Sequence, residues 1–262
     1  MISPAQHVVI ACIALLAGVA NSIAGGGMLL VFPALVGLGV PSLFANATCT
    51  VALWPGALSS MYGYRTELVG VRPWVLHFLL PSVLGGLTGG VLLTITTQRQ
   101  FDQIVPWLVL FATIVFLLQR PLLDAVRVRT GYQSPAATDA MRTKPPMVFL
   151  VGYYFVAVYG GYFGGGAGII ILAALGLMGL TNIHQMNGLK NIFAAVFNLM
   201  AIGAFIWKGL VNWPIALTMA IGSTAGGFLA SRTAQRVPQA WVRTSVGVIG
   251  FAAAGWMLFR SR

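Results

Sequence analysis

Gly18-Val-Ala-Asn21-Ser-Ile-Ala-Gly25-Gly26-Gly27-Met-Leu-Leu-Val-Phe-Pro33 holds an apolar run, a glycine triplet and the start of a second apolar run. Crossing ~30 Å of hydrocarbon takes ~20 apolar helical residues. The run after the triplet, Met28–Val40, falls short of that. A triplet that breaks a helix leaves several N–H groups without intrahelical acceptors. In hydrocarbon each such group costs several kcal/mol, so the break needs protein, water or a ligand against it. The arrangement returns as Gly160-Gly161-Tyr162-Phe163-Gly164-Gly165-Gly166, again followed by a short apolar segment, Ala167–Leu180.

On either side of these breaks the chain reads as a series of apolar segments. They are Val8–Ala24, Met28–Val40, Leu43–Tyr62, Pro73–Ile95 and Ile104–Leu118, then, after a polar stretch, Met147–Phe163, Ala167–Leu180, Ile183–Trp207, Val211–Ala230 and Val242–Phe259. Only 7% of the 262 residues are charged and 58% are hydrophobic. Soluble domains carry ~25% charge, so lipid must solvate much of this surface. Glycine supplies 32 residues, a content that suits closely packed and interrupted membrane helices. Val8–Ala20 has the look of a secretory leader. No Lys or Arg precedes it and the same segment type recurs mid-chain, so it is expected to stay in the mature protein.

The two halves repeat. Gly25-Gly26-Gly27 falls on Gly164-Gly165-Gly166 at a shift of 139, and Asn46 on Asn187 at 141. Gly70 and Trp74 fall on Gly209 and Trp213 at 139, and Gly85-Gly86 on Gly226-Gly227 at 141. The expected layout is a first transmembrane repeat, 1–118, a cytoplasmic linker, 119–146, and a second repeat, 147–262. Five segments per half is an odd number, which inverts one half relative to the other. The basic residues agree. A cytoplasmic linker puts Arg65, Arg72, Arg120, Arg127, Arg129, Arg142, Lys144, Lys190, Arg232, Arg236 and Arg243 inside, with only Arg99, Lys208, Arg260 and Arg262 outside. Both termini are then extracytoplasmic. The fold class expected is an all-α polytopic membrane protein: an inverted repeat of two five-segment halves with glycine-rich broken or re-entrant helices. Such repeats are the sequence pointer to a secondary transporter with a midplane site.

The stretch Gly18–Pro33, continued by Gly39-Val-Pro41 and Ala45-Asn46-Ala-Thr48, resembles the opening motif of the sulfite exporter TauE/SafE family. The resemblance covers nearly the whole chain. It implies an inner-membrane carrier that exports sulfite, sulfoacetate or related organosulfur anions. The second half departs from the motif, with Leu172 where the first half has Pro33 and Met186-Asn187-Gly188-Leu189-Lys190-Asn191 in place of Ala-x-x-Thr. That argues against a perfectly symmetric site.

Candidate substrate-binding residues follow from where donors gather. Gly25, Gly26, Gly27, Gly164, Gly165 and Gly166 would open the short helices, whose N-termini carry partial positive charge and N–H donors suited to an oxyanion. The alternative is that these glycines only let helices cross closely. Under the first reading a side chain at Gly26 or Gly165 harms transport more than stability; under the second, the reverse. Asn21, Asn46, Thr48, Thr50, Asn187 and Asn191 add side-chain donors, as does Asn198 on the face of Asn187 and Asn191. Such amides also serve as glue between helices. Lys190 is an intramembrane cation if its segment starts near Ile183, and an ordinary loop cation if it starts near Asn191. His77 reads as packing or proton transfer, and Trp74 and Trp213 as interfacial anchors.

The acids narrow the chemistry. Glu67, Asp102, Asp124 and Asp139 are the four, all in expected loops. A path lined by N–H groups, amides and one lysine selects anions. No metal-ligand cluster, phosphate-binding loop or Ser/His/Asp set stands out, so neither an enzyme nor a cofactor is expected. The +11 formal charge lies in short loops rather than along a stripe, which argues against nucleic acid as partner. The expected partners are a small anionic substrate and the bilayer, with a homo-oligomer left open. Two other functions use the same features: an anion-selective channel, and a non-transporting subunit of a membrane complex.

Overall fold

The structure, a computed structural model, describes residues 4–23, 25–129, 145–178, 180, 182–233 and 239–260. Asp139, Arg142, Lys144, Arg236 and Arg262 of the charge argument lie outside them. Ten α-helices are described: α1 (Pro4–Ile23), α2 (Gly27–Gly37), α3 (Ser42–Gly63), α4 (Arg72–Ile95), α5 (Gln98–Arg129), α6 (Met147–Tyr162), α7 (Ala167–Leu177), α8 (Ile183–Trp207), α9 (Trp213–Thr233) and α10 (Gln239–Arg260). A 3₁₀ turn, Arg65–Leu68, links α3 to α4. The protein is an all-α, multi-spanning membrane protein.

The helix boundaries depart most from the sequence expectation at α5, which starts at Gln98 rather than Ile104. α5 does not stop at Leu118 but continues to Arg129, into the stretch read as linker. Falling hydropathy ends a membrane span without ending a helix, because leucine, arginine and glutamine are all good helix formers.

Helix faces are sorted by size rather than polarity. On α4, Leu76, Leu80, Leu84 and Val91 point outward, while Gly85, Gly86, Gly89 and Gly90 are buried. Lipid is as apolar as leucine, so association rests on close packing, which small residues allow. α3 inverts the usual order: Asn46, Thr48, Thr50 and Ser60 are buried and its length is flanked by protein. It is a central helix that meets protein where other spans meet lipid.

The packing follows from where those glycines fall. α1 packs along α9, and α9 along α3; α6 packs along α4, and α4 along α8. A Cβ added at Gly226 of α9 would run into the Leu15 carbonyl of α1, and one at Gly227 into the Gly56 carbonyl of α3. At shifts of 139 and 141, the same contacts recur: Gly85 of α4 against the Tyr154 carbonyl of α6, and Gly86 against the Phe197 carbonyl of α8. Two three-helix bodies result, α1–α3–α9 and α4–α6–α8, and each takes one helix from the other half of the sequence. α3 meets α8 between them, and α5 pairs with α10 while touching α7.

Candidate functional site: a donor-lined cavity where two helix hairpins cross

α2 folds back along α1, and α7 along α6. Each reversal runs through its glycine triplet in left-handed backbone: Gly25 at φ 83°, Gly164 at φ 81° and Gly166 at φ 78°. Glycine adopts that region without the penalty a Cβ brings. The first residues of α2 and α7 receive no side-chain cap. The two reversals touch: a Cβ on Gly25 would stand 3.5 Å from the Gly168 Cα.

Between them lies a cavity of about 50 Å³, space for a few waters or a compact ion. Its lining holds five residue pairs separated by the repeat shifts: Gly25 and Gly164, Met28 and Ala167, Thr50 and Asn191, Leu53 and Ala194, Ala57 and Asn198. Asn21, Phe163, Gly168, Lys190 and Phe197 complete it. The geometry is paired and the chemistry is not. The second half supplies Lys190, Asn191 and Asn198, and the equivalent positions of the first half hold Cys49, Thr50 and Ala57.

The loop reading of Lys190 does not hold. α8 starts at Ile183 because the Asn182 side chain caps it, accepting from the His184 and Gln185 backbone N–H groups. Lys190 therefore sits two turns inside the helix, 2% exposed. Its Nζ donates to the Asn21 carbonyl at 2.9 Å and lies 3.5 Å from that of Ser22. Both carbonyls end α1, where the helix dipole favours a cation. The acids with described side chains are engaged elsewhere: Glu67 accepts from Asn182, and Asp102 from Ser42 and Gln98. Next to Lys190, the Asn191 amide nitrogen is buried with no hydrogen-bond partner, as is the Asn198 amide oxygen.

Of the thirteen candidates, Asn21, Gly25, Thr50, Gly164, Lys190 and Asn191 are brought together in this lining. The other seven candidates line no part of this cavity. Gly26 faces the Phe116 ring of α5, Gly27 the Ala17 carbonyl, Gly165 the Phe163 ring, and Gly166 the Ala112 backbone. These glycines admit close packing. Asn46 donates to the Tyr162 carbonyl at the end of α6, 2.8 Å away. Thr48 accepts from the Asn212 N–H ahead of α9. Asn187 is buried with its amide oxygen unpartnered. Gly168, Phe163 and Phe197 were not anticipated; only Gly168, two residues past the triplet, carried a hint in the sequence. His77 bonds the Pro73 carbonyl one turn back, the packing reading. Trp74 is buried against Phe78 rather than anchored at a surface.

A larger hollow of about 750 Å³ opens between the end of α2, the starts of α3 and α5, and the end of α10. Arg99, Gln98 and Ser42 line it, but so does the Asp102 carboxylate. It suits a vestibule better than a seat for an anion.

A buried, donor-rich cavity at crossed helix breaks in a multi-spanning membrane protein is the architecture of a transporter. The chain belongs to the sulfite exporter TauE/SafE family, whose profile matches residues 10–257. It is 29% identical to the probable membrane transporter protein YfcA of Escherichia coli strain K12, over 100% of this chain and 93% of that one. It is 26% identical to a probable membrane transporter protein of Haemophilus influenzae, over 95% and 92%, and 26% identical to ORF9, a probable membrane transporter protein of Sinorhizobium sp, over 92% and 88%. No solved structure matches it.

Proposed function

We propose that the protein is a secondary transporter that exports small organosulfur or sulfur oxyanions, such as sulfite or sulfoacetate, across the inner membrane. The observation that carries this reading is the cavity between the two breaks, lined by a lysine, amides and glycine backbone, with no acidic side chain in its lining. Carboxylates inside membrane proteins mark cation and proton sites; here the donors suit an oxyanion. The volume of about 50 Å³ fits sulfite as it stands, and sulfoacetate requires the cavity to widen.

The topology that accompanies this reading is an inverted repeat with residues 119–146 cytoplasmic and both termini outside. The large vestibule beside Arg99 then opens on the outer face. Export runs downhill electrically: at about 100 mV, inside negative, expelling one negative charge gains about 2.3 kcal/mol, roughly a fiftyfold concentration ratio. The test is efflux from liposomes carrying purified protein and loaded with sulfite, under a potassium diffusion potential. Saturable efflux, accelerated by sulfite on the far side, is expected of a carrier. Unsaturable flux without that acceleration overturns the carrier in favour of a channel, and absence of flux for every sulfur oxyanion tried overturns transport itself.

A further inference from the structure

The Lys190 ammonium has three N–H donors and two carbonyl neighbours, a short contact to Asn21 at 2.9 Å and a long one to Ser22 at 3.5 Å. The Asn21 carbonyl does not depend on it, since the Gly25 N–H already donates there at 3.2 Å. The lysine stem lies along Gly168, with a distance of 3.1 Å between Cδ and the position a Cβ would take. So the head group is held at the cavity wall with a donor to spare and no carboxylate in the lining. The neighbouring Asn191, 1% exposed, brings a second donor with no acceptor. Buried polar groups are paired in the great majority of proteins, and unpaired ones call for an explanation. A cation with a donor to spare and an amide donor with no acceptor stand on the same cavity wall, and one anionic oxygen group completes both.

We propose that Lys190 is the residue that makes this cavity discriminate by charge: its ammonium, assisted by the Asn191 amide nitrogen, binds one oxyanion. This rests on the transport reading above and assigns its selectivity to the second half alone, because Cys49 and Thr50 stand at the equivalent positions of the first. An oxyanion shares the ammonium with Asn21 rather than replacing a salt bridge, so entry breaks no ion pair at Lys190.

The experiment compares sulfite with dimethyl sulfoxide, a neutral pyramidal probe with the same number of heavy atoms, by calorimetry on purified wild-type protein, Lys190→Met and Lys190→Gln. Methionine keeps the stem without the charge; glutamine keeps a donor to the Asn21 carbonyl and so preserves any capping role. Wild-type protein is expected to prefer sulfite at least tenfold over the sulfoxide. Both variants are expected to fold, with a melting temperature equal to or above that of the wild type, and to bind the two probes alike. Sulfite preference retained in Lys190→Gln overturns the inference while leaving transport standing. So does a Lys190→Met protein that melts lower yet binds sulfite as tightly as wild type, which makes the lysine a helix cap. Wild-type protein that binds neither probe overturns the reading of the cavity as a sulfite site, on which this inference rests.

Discussion

Asn46 and Asn191 are both buried amides with one unpartnered atom, but the unpartnered atoms differ in kind. Asn46 spends its donor on the Tyr162 carbonyl and leaves its oxygen free; Asn191 leaves its nitrogen free at the cavity wall. Asn46→Ala strips the part-buried carbonyl at the end of α6 of its donor, a loss of about 1 kcal/mol. A lower melting temperature with unchanged sulfite affinity is therefore expected. Asn191→Leu removes a polar atom that has no partner within the protein, so stability holds or rises while sulfite affinity falls about tenfold, the equivalent of about 1.4 kcal/mol. Melting curves and calorimetry on the two variants check both, and an affinity loss in Asn46→Ala with none in Asn191→Leu would reverse the two roles. In the sequence the two asparagines were indistinguishable. Each lies within an expected membrane segment, and only the approach of the Tyr162 carbonyl at the end of α6 to Asn46 decides which amide has an acceptor. Lys190 was ambiguous for a similar reason. Its burial depends on where α8 starts, and that is fixed by the Asn182 cap, one polar residue in a loop that holds several.

The hairpins show how far a motif reaches. The glycine triplets were visible at once, and their meaning as helix breaks follows from chain physics alone. Which way each glycine faces does not, because that depends on α5. Gly26 is pressed against the Phe116 ring and Gly165 against the Phe163 ring with Ala112 behind it. These contacts favour the close-crossing reading for both. Gly26→Ala is expected to lower the melting temperature and leave the affinity of the folded protein within about twofold. Gly25 is the contrasting case. It borders the cavity, and at φ 83° alanine there incurs backbone strain of about 1–2 kcal/mol. It also brings a methyl group to the Gly168 contact, so Gly25→Ala is expected to lose both stability and sulfite binding. If Gly26→Ala abolishes binding in protein that melts normally, the N–H groups of that break belong to the site after all. Most helix boundaries were legible to within a few residues. The exit of α5 was not, because Gln119 and Arg120 lower hydropathy without stopping a helix.

At the scale of the whole molecule the sequence halves and the packed bodies are different objects. The halves are written one after the other, yet α4 and α9 have changed places, so that α1 and α3 are locked to α9, and α6 and α8 to α4. Within each body, backbone meets backbone at Gly226 and Leu15, or Gly85 and Tyr154, contacts with no room to slide. Across the seam the hydrogen bonds are single and separable: Lys190 to Asn21, Asn46 to Tyr162, and Trp54 to the Ala195 carbonyl. The cavity lies in that seam. If transport moves rigid bodies past a fixed site, as inverted-repeat carriers do, the weak seam is where motion is expected, and the bodies rather than the halves are what move. Spin labels separate the two cases. With Cys12 and Cys49 replaced by serine, one pair is placed at Val8 of α1 and Leu217 of α9, another at Val8 and Phe155 of α6, all exposed sites. The first pair joins different halves within one body; the second crosses the seam. Sulfite is expected to leave the first distance distribution unchanged and to shift or broaden the second. A shift between α1 and α9 on sulfite addition would mean that the halves themselves move, and the glycine contacts that define the two bodies would then have to open in every cycle.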